Sequence, residues 1–583
     1  MSSVSFSPRK GPPGVDFAAL FVPRDPEWTI PPAAPKAVRI LNPSIPPSDP
    51  DGPLFPLLLI RKPSFPHFVL KTSEFPYRTG VMVLRFCLED GFLRPELLSK
   101  TKGETAFFRI DDLREIPVRK RDASFPFDRF LQLHLAGKKL LLEEIPFPLA
   151  LVHSHAERGY IAYGKGVERR SGGYFCHRCH NENPRLFHVF PCARCRRECA
   201  YCRRCLMTGR ISQCTPLLEW RGPEPAVPCR VQSAWQGELQ PAQREAAGRI
   251  VRAIEKREAL IVWAVCGAGK TEMLFPGIGR ALKEGMRVAI ATPRTDVVFE
   301  LVPRLKRAFP TVPVAALYGG SQERFRFAPL SVSTTHQLLR FYKAFDVLII
   351  DEVDAFPFSC DEMLQTAANR AKKDTGAQIF LTATPSEKWK RECLRGLRNC
   401  VILPARFHRR PLPVPRFVWC GNWRKAIRKG QLPAKVADWV RERVRRGKRC
   451  LVFFPDVERM EQALPLFLSF CPGALSVHAN DPQRKEKVEK MRKKEVLVLL
   501  TTTILERGVT FPDIDVAVVG AEDDIFTESA LVQISGRVGR HPDYPDGDVV
   551  FFHYGKTRAM IEAKKHIMWM NREAEKRKLL SRY

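Results

Sequence analysis

The sequence contains no long hydrophobic stretch. No run of 18 apolar residues occurs among its 583 residues, so no membrane span is predicted. Its first residues, MSSVSFSPRKGPPG, also lack the apolar core of a secretion signal. Acidic residues are few, since 63 Asp and Glu stand against 95 Lys and Arg, a formal net charge of +32. This excess favours a polyanionic partner (DNA, RNA or an anionic membrane face), although basic residues also serve solubility alone.

Cysteines are concentrated in one segment. Nine of the 17 lie between Cys176 and Cys229, and several occur as C-x-x-C pairs. In a large chain without a secretion signal, this pattern is typical of metal binding in a reducing compartment rather than of a disulfide framework. We therefore expect a cytoplasmic protein.

Composition and patterning divide the chain into five regions. Residues 1–53 are rich in proline doublets and are expected to be extended or disordered. Residues 54–170 contain strand-like runs such as LFPLLLI and TGVMVLRF and a helical pattern, FDRFLQLHLAGKKLLLEE, which predict an α/β module of unknown role. Residues 172–220 hold the clustered cysteines. Residues 230–405 and 415–583 each alternate short apolar strands with helices, which predicts two parallel sheets covered on both faces.

The segment LIVWAVCGAGKTE contains the strongest motif. An apolar strand leads into a glycine-rich loop and then a helix, an arrangement whose backbone N–H groups converge on a phosphate. Lys270 is predicted to reach the β- and γ-phosphates of ATP, and Thr271 to bind Mg²⁺. The general loop begins with glycine, whereas this one begins with alanine, the form seen in helicase-type motors. The predicted loop residues are Ala264, Val265, Cys266, Gly267, Ala268, Gly269, Lys270 and Thr271.

Two further segments complete the predicted nucleotide site in the first sheet domain. In VLIIDEVDAF, a buried strand delivers Asp351 and Glu352 to the edge where ligands bind in parallel sheets. Asp351 would hold Mg²⁺ through water, and Glu352 would orient the attacking water. Upstream, Gln243 is placed to recognise the adenine edge. Acidic pairs at strand ends also occur by chance, so the order of the segments carries the argument.

The segment QISGRVGR supplies basic residues in the second sheet domain. Gln533, Arg537 and Arg540 are the candidates, and arginines three apart on a helix share one face. Arginines aimed across a cleft can neutralise charge on a transferred phosphoryl group, although arginine-rich helices often face solvent. The segment TTTILERGVTFP precedes them at the end of an apolar strand.

The cysteine segment predicts zinc. Two C-x-x-C pairs, Cys176 with Cys179 and Cys202 with Cys205, can close one tetrahedral Zn²⁺ site. Cys192, Cys195, Cys199 and Cys214 are a candidate second set, with His177, His180 and His188 as possible replacement ligands. Redox-active thiols are the alternative. Arginines and aromatic residues are interleaved with these cysteines, among them Arg194, Arg196 and Arg197, and suit contacts with single-stranded nucleic acid, although the aromatics also serve as a small core.

The order of these motifs resembles that of superfamily 2 helicases, which have two RecA-like lobes. TPR at Thr292–Arg294, TTHQLL from Thr334 and TAT at Thr382–Thr384 lie between the segments already described. More narrowly, the phrases DEVDAFPF, TTHQLLRFY and QISGRVGR and the preceding cysteine cluster resemble the ComFA family of competence ATPases. Between about residues 172 and 575 the sequence follows that family's pattern, whereas the first 150 residues match nothing familiar.

The resemblance implies an ATPase stimulated by single-stranded DNA, with ATP, Mg²⁺ and Zn²⁺ as cofactors. It also implies a ComFC-like partner and a place beside the competence channel at the inner face of the membrane. Thr292, Arg294, Thr334 and Thr335 would contact the DNA backbone, and Thr382 and Thr384 would relay the nucleotide state. In the segment TTTILERGVTFP, Thr502, Glu506, Arg507 and Gly508 match the element that couples the cleft to nucleic acid. A primosomal or repair helicase is the alternative enzyme, and a zinc-dependent nucleic-acid scaffold without ATP turnover is the alternative of another class.

Overall fold

The computed structural model describes residues 68–70, 82–89, 92–99, 109–116, 118–193, 195, 197–227, 231–506 and 511–581. The predicted disordered region 1–53 and the run LFPLLLI lie outside these residues. Three strands at the N-terminal end form an antiparallel sheet in the order β1–β2–β3: β1 Phe68–Leu70, β2 Met82–Glu89 and β3 Phe92–Ser99. The strand predicted from TGVMVLRF is thus present as β2. No helix within the described residues is long and apolar enough to cross a membrane.

Residues 109–222 form a unit that we call the cysteine unit. Its elements are α1 Arg129–Leu135, β4 Lys139–Leu141, α2 Leu149–Glu157, β5 Ile161–Lys165, β6 Val167–Arg170, β7 Gly173–Cys176, β8 Phe187–Cys192, β9 Arg197–Cys202 and β10 Pro216–Trp220. Strand β10 pairs with both β4 and β5, so the cysteine-bearing hairpins β6–β7 and β8–β9 are inserted into a three-stranded antiparallel sheet. This sheet crosses the boundary predicted at residue 170, because its central strand comes from beyond the cysteines.

The long helix predicted from FDRFLQLHLAGKKLLLEE is wrong in its second half. The helix ends at Leu135, and Gly137 has a φ of +68°, a left-handed conformation that glycine adopts without strain. The chain then continues as strand β4, where Leu140 and Leu141 pair with β10. The side chain of Lys138 is buried and its Nζ donates to the carbonyls of His134 (2.7 Å) and Phe325 (2.9 Å). Pairing with β10 outweighs the helical spacing of the leucines.

Lobe 1 contains a seven-stranded sheet in the order β13–β14–β12–β15–β16–β11–β17, and each pairing is parallel. The strands of this sheet are largely apolar, because helices cover both of its faces. The elements in chain order are α3 Pro241–Glu255, β11 Ala259–Ala264, α4 Lys270–Lys283, β12 Val288–Thr292, α5 Thr295–Ala308, β13 Val314–Leu317, β14 Leu330–Thr334, β15 Phe345–Ile350, α6 Glu362–Ala371, β16 Lys372–Thr382, α7 Glu387–Leu394 and β17 Cys400–Leu403.

Lobe 2 contains a six-stranded parallel sheet in the order β18–β23–β22–β19–β21–β20. Its elements are β18 Arg416–Trp419, α8 Trp423–Arg428, α9 Ala434–Arg445, β19 Arg449–Phe453, α10 Val457–Leu468, β20 Leu475–Val477, α11 Arg484–Arg492, β21 Val498–Thr501, β22 Ile514–Val519, α12 Glu528–Ser535, β23 Val549–His553 and α13 Arg558–Lys576. The prediction of two tandem parallel-sheet domains is confirmed. The edge strands β17 and β18 were not predicted, because proline-rich sequence flanks them.

The cysteine unit packs on lobe 1 through a shared apolar cluster and through buried charges. Leu141, Val167 and Cys176 belong to the same buried cluster as Leu338 and Phe345 of lobe 1. Beside this cluster, the carboxylate of Glu144 accepts hydrogen bonds from Arg178 (3.0 Å) and from Arg340 of lobe 1 (2.8 Å). Arg370 of lobe 1 donates to the backbone carbonyls of His177 and Arg178. The unit is therefore docked on the lobe by both apolar and ionic contacts.

Candidate nucleotide site and metal centres

The predicted phosphate loop lies between a buried strand and a helix. Strand β11 ends at Ala264, and helix α4 begins at Lys270. Gly267 and Gly269 have φ values of +81° and +74°, so the loop needs glycine at both positions. The backbone N–H groups at the start of α4 lack partners within the helix and provide a site for phosphate oxygens. Lys270 and Thr271 form the first turn of this helix, as predicted.

Gln243 lies directly against this loop. It occupies the first turn of α3, its Nε2 donates to the carbonyl of Ala268 at 2.8 Å, and its Oε1 accepts from the N–H of Gln240 at 2.9 Å. A side chain added at Gly269 would collide with Gln243 Nε2. The structure therefore brings Gln243 and the loop together. Recognition of adenine by Gln243 stays a prediction.

Asp351 and Glu352 directly follow strand β15, at the carboxyl edge of the sheet. The N–H of Asp351 donates to the carbonyl of Ala291 (2.8 Å), and the carboxylate of Asp351 accepts from the N–H of Glu352 (2.9 Å). Glu352 has a φ of +56°, an uncommon conformation for a residue with a side chain. Strained backbone of this kind is frequent at functional sites, which is consistent with the predicted role of the acidic pair.

Gln533 of lobe 2 contacts the phosphate loop of lobe 1 directly. The Sγ–H of Cys266 donates to Gln533 Oε1 at 2.9 Å, and both side chains are buried. Gly536 is the residue directly after helix α12, and a Cβ there would collide with the side chain of Cys266. The predicted loop and the predicted QISGRVGR segment therefore face each other across the cleft between the lobes.

Arg537 and Arg540 do not share one face of a helix, contrary to the prediction. Helix α12 ends at Ser535, so both arginines lie beyond it, in a segment that includes Gly539 at φ +66°. Arg537 is buried, and its Nε and Nη2 donate to the backbone carbonyl of Glu506 at 2.9 and 2.5 Å. Arg540 is half-buried and donates to the carbonyl of Gly536 at 2.7 Å.

The surroundings of Arg537 oppose its charge. Burial, together with the neighbouring charge of Arg540, lowers the pKa of Arg537 well below its ordinary value, and Cys266 and Glu352 lie close enough to oppose that shift. A desolvated guanidinium between the phosphate loop and the acidic pair is suited to an anionic ligand. Of the two arginines predicted to act on the transferred phosphoryl group, Arg537 is therefore the better placed.

Sequence reasoning missed several residues that join the lobes. Asp354 accepts from Thr382 (2.8 Å), from Thr384 (2.8 Å) and from Ser529 of lobe 2 (2.8 Å). The hydroxyl oxygens of Thr384 and Ser529 lie 2.7 Å apart. The predicted relay residues Thr382 and Thr384 therefore meet on one carboxylate that also binds lobe 2. The acidic phrase DEVD contains Asp354, but its sequence position alone gave no sign of this partner.

Arg406, in the linker between the lobes, was also missed. Its side chain is buried and donates to the carbonyl of Gly539, which also accepts from His408 (2.9 Å). Burial lowers the pKa of Arg406 to about 10. The linker thereby fixes the turn that carries Arg537 and Arg540. In the sequence, only its prolines mark this linker. Nothing there indicates that Arg406 contacts Gly539.

The residues predicted to contact a DNA backbone differ in accessibility. Thr292, Thr334 and Thr335 are buried, so their hydroxyls do not face solvent in this structure. The side chain of Arg294 is 21% exposed and pairs with Glu506 of lobe 2 at 2.8 Å. Arg294 is thus the accessible member of the predicted set, and contact between the buried threonines and DNA stays a prediction. Arg507 and Gly508 lie outside the described residues.

Both predicted cysteine sets are brought together. Cys176, Cys179, Cys202 and Cys205 are buried, with their Sγ atoms all within 4.8 Å of one another, and the same spacing holds for Cys192, Cys195, Cys199 and Cys214. His177 instead contacts Glu168 at 3.2 Å. Among the described residues, each cluster therefore consists of four cysteines without a histidine.

The sulfur geometry fits zinc. Sγ–Sγ distances are 3.7 Å for Cys176 and Cys205, 3.5 Å for Cys179 and Cys202, and 3.7 Å for Cys192 and Cys214. Tetrahedral Zn–S bonds of about 2.3 Å place sulfur atoms about 3.8 Å apart. Hydrogen bonds to the sulfurs of neighbouring cysteines, with burial added, raise the pKa of the Cys205 and Cys214 thiols. Four adjacent thiolates repel one another, so a cation that offsets this repulsion suits both clusters.

Aromatic and basic residues around the clusters mostly contact one another. Tyr174 packs on Phe187 (5.6 Å between ring centroids) and Phe190 on Tyr201 (5.5 Å), as expected for a small core. Arg178 is buried on Glu144, and Arg197 contacts Asp112 at 3.3 Å. Arg194 and Arg196 lie outside the described residues. Nucleic-acid contact by this unit stays a prediction.

Comparison with known proteins places the chain in a family. Residues 122–219 match the model described as "Competence protein ComFA N-terminal domain". The chain is 47% identical over 461 residues to "Competence protein ComFA" of Bacillus subtilis, covering 79% of this chain and 98% of that protein. It is 37% identical over 412 residues to the protein of the same name from Streptococcus pneumoniae, covering 70% and 93%. The chain belongs to the ComFA family. The family match begins at residue 122, upstream of the cysteines where the resemblance in sequence was placed.

The two lobes also match helicase models. Residues 236–387 match "Type III restriction enzyme, res subunit", and residues 433–542 match "Helicase conserved C-terminal domain". The solved "Structure of RecG bound to three-way DNA junction" aligns with 60% of this chain and 49% of that chain, at 18% identity and a TM-score of 0.42. The two model matches, together with the two parallel sheets, show that this ComFA-family chain has two RecA-like helicase domains, a fold that implies ATP and Mg²⁺. Its cysteine clusters are compatible with zinc.

Proposed function

We propose that the protein is an ATPase dependent on single-stranded DNA that translocates along DNA during uptake in competence. The contact between Cys266 of the phosphate loop and Gln533 carries this proposal, because it places the basic QISGRVGR turn against the loop predicted to hold ATP. Membership in a family named for competence supports the biological role. Lys270 would bind the β- and γ-phosphates, and Asp351 would hold Mg²⁺.

The roles of the remaining predicted residues follow from their positions. Glu352 would orient the attacking water, Arg537 would stabilise the transferred phosphoryl group, and Gln243 would recognise adenine. Hydrolysis would change the separation of the lobes, so that each lobe holds the DNA backbone in turn. A ComFC-like partner, the competence channel and a place at the inner face of the membrane belong to this proposal and follow from the family.

An ATP hydrolysis assay with and without single-stranded DNA tests the proposal. Addition of an oligonucleotide is expected to stimulate hydrolysis, and Lys270→Ala is expected to abolish it while leaving folding and zinc content intact. Normal hydrolysis by Lys270→Ala would show that the nucleotide site is misassigned. Strand displacement from a duplex, measured in parallel, separates translocation from the unwinding expected of a repair helicase.

We also propose that each cysteine cluster holds one Zn²⁺. The ions would cross-link the inserted hairpins β6–β7 and β8–β9, which are too small to fold on an apolar core of their own. Metal analysis of the full chain is expected to give two zinc ions per molecule. One ion per molecule would limit the proposal to a single cluster, and none would overturn it.

A further inference from the structure

A cavity of about 430 Å³ lies where the cysteine unit meets lobe 1. Its described lining residues belong to the cysteine unit, to lobe 1 and to the segment that joins them. One of them, Arg287, directly precedes strand β12, at the amino edge of the parallel sheet of lobe 1. The phosphate loop follows strand β11, at the carboxyl edge of the same sheet. The cavity is therefore separate from the predicted nucleotide site.

The buried guanidinium of Arg287 has unused hydrogen-bond donors. The residue is 4% exposed, and its Nη1 donates to the carbonyl of Ala136 of the cysteine unit at 3.2 Å. Within the described part of the chain, its Nε and Nη2 have no hydrogen-bond partner. The ring centroids of Phe327 and Phe345 lie 4.3 and 4.9 Å from its central carbon, but these rings offer no lone pair. A buried cation with unused donors is costly in free energy, and an acceptor in the cavity would offset that cost.

The cavity wall carries more positive than negative side chains. Six basic and four acidic residues line it. Burial, opposed by Glu224 and Asp346, lowers the pKa of Arg287 to about 10, so its guanidinium stays charged at neutral pH. Burial and the charge of Arg287 lower the pKa of Lys138, a second buried cation on the wall, well below its ordinary value. An anion in the cavity would offset the repulsion between these two cations.

The four carboxylates on the cavity wall are already paired with lysine or arginine, which weakens their repulsion of an anion. Lys373 contacts both Glu224 (2.6 Å) and Asp346 (3.2 Å). The other oxygen of Asp346 accepts from the backbone N–H of Arg287 at 2.9 Å. The remaining pairs are Glu219 with Lys139 (3.2 Å) and Glu284 with Arg280 (2.7 Å).

We propose that this cavity binds a phosphate group, free or carried by a small ester, through Nε and Nη2 of Arg287. The N–H donors of these two nitrogens are parallel and match two oxygens of one phosphate. A phosphate monoester carries a charge of about −1.5 to −2 at neutral pH, which offsets both buried cations, whereas a carboxylate offsets one. Small-molecule sites typically measure about 300–1,000 Å³, so this cavity has room for the organic group of an ester. The ligand would hold the cysteine unit against lobe 1, and it requires neither ATP at the phosphate loop nor DNA.

Lobe 2 contains a matched arginine for comparison. Arg449, like Arg287, is the fourth residue after the end of a helix and the second after a glycine, and it begins strand β19. It is 1% exposed, but its Nη1 donates to the carbonyls of Met491 (3.1 Å) and Arg492 (2.9 Å), and its Nη2 donates to the carbonyl of Pro512. Backbone carbonyls therefore take up most of the Arg449 guanidinium. Arg449→Met removes a buried arginine without touching the cavity.

The test measures binding by isothermal titration calorimetry to the full chain carrying Lys270→Ala, which weakens phosphate binding at the phosphate loop. Thymidine 5′-monophosphate, inorganic phosphate and thymidine are the probes. At least one of the two probes that carry phosphate is expected to bind once per chain with a Kd below about 1 mM, and thymidine is expected not to bind. Tighter binding of the monophosphate than of free phosphate identifies an ester as the ligand, and the reverse identifies free phosphate.

Three further substitutions, each added to Lys270→Ala, locate the binding site. Arg287→Met is expected to weaken binding about tenfold or more, because it removes two hydrogen bonds to a charged group. Arg449→Met is expected to leave the affinity within about twofold, because it lies in the other lobe. Glu224→Gln replaces a side chain that is 73% exposed, and it should tighten binding about threefold by removing a negative charge near the Arg287 guanidinium.

Several results would overturn the site. They are absence of saturable binding by both probes that carry phosphate, unchanged affinity in Arg287→Met, or an equal loss in Arg449→Met. Thermal melting and zinc content verify folding. If Arg287→Met misfolds, Glu224→Gln decides, since tighter binding supports the site and unchanged binding contradicts it. The ATP hydrolysis assay on the unsubstituted chain tests the proposed function separately.

Discussion

Lobe 1 has two polar interfaces of opposite character. Its contacts with lobe 2 include Arg294, Cys266 and Thr384, residues that lie in the predicted ATP, DNA or relay motifs. Its contacts with the cysteine unit include Arg340 and Arg370, neither of which is predicted to bind a ligand. Under the proposed function, nucleotide or DNA would compete for the partners at the first interface. Partners at the second have no competitor, so we expect this interface to stay closed while the lobes move.

Charge burial strengthens this contrast. At the interface between the cysteine unit and lobe 1, which we call the docking interface, burial alone would raise the pKa of Glu144. Arg178 and Arg340 outweigh burial and hold that pKa below its ordinary value. The carboxylate is therefore ionised and satisfied by two guanidinium groups, which makes it costly to remove. At the cleft, by contrast, Arg537 donates to the backbone carbonyl of Glu506.

The largest effect is expected from loss of the first cysteine cluster, which would break the docking interface. Cys176, Cys202 and Cys205 belong to the apolar cluster shared with lobe 1, whereas Cys192, Cys199 and Cys214 form a small separate cluster. Cys205→Ser is therefore expected to lose zinc and to expose the unit to proteolysis, because zinc binding contributes on the order of 10 kcal/mol to such folds. Cys214→Ser should lose one ion and leave docking intact. Metal analysis with limited proteolysis measures both, and equal proteolysis of the two variants would contradict the distinction.

The second-largest effect is expected from a substitution in the cleft between the two lobes. Arg537→Gln is expected to lower kcat for DNA-stimulated ATP hydrolysis by about 10³-fold, since arginine fingers contribute on this scale. Arg540→Gln, whose side chain is half-buried on Gly536, is the matched comparison and should have a much smaller effect. Steady-state kinetics at saturating DNA measure both. Equal losses would show that the two arginines act together, as the sequence first indicated.

A smaller effect is expected at the docking interface from Glu144→Gln. Removing one partner of a buried ion pair costs about 3–5 kcal/mol, because the guanidinium groups remain buried. The free energy of unfolding, from denaturant titration at neutral pH, should fall accordingly, with Glu143→Gln as the neighbouring control. Because the folded-state pKa of Glu144 is lowered, its stabilisation is present above the unfolded-state pKa and is lost as pH falls through the folded one. The difference from wild type should therefore shrink in acid.

The smallest effect is expected from Ser529→Ala, which removes one hydroxyl from the contact of Asp354 with lobe 2. Loss of one such hydrogen bond costs about 1 kcal/mol, which corresponds to about a fivefold change in a rate or binding constant. DNA-stimulated hydrolysis should fall by about that factor, with unfolding little changed. A large loss of stability instead would mean that the contacts across the cleft are a permanent part of the fold, like those between the cysteine unit and lobe 1.

Sequence patterns predicted the parallel sheets more reliably than the smaller elements. Runs such as ALIVWAV and VLIIDEVD became β11 and β15, because a strand buried on both faces is almost wholly apolar. The helical spacing of leucines near residue 140 failed as a predictor, because pairing with strand β10, which begins at Pro216, decided the structure there. The prediction for the segment after α12 failed similarly, since the helix ends at Ser535, before both arginines.

The sequence alone determined the local parts of the site. The phosphate loop, the acidic pair and the two groups of four cysteines depend on residue types at short spacing, which local backbone geometry converts directly into shape. Only the tertiary structure decided which residues meet across the cleft. Cys266 meets Gln533 and Arg294 meets Glu506 over separations of more than 200 residues. Such contacts depend on how two sheets are packed, and no short-range pattern encodes that packing.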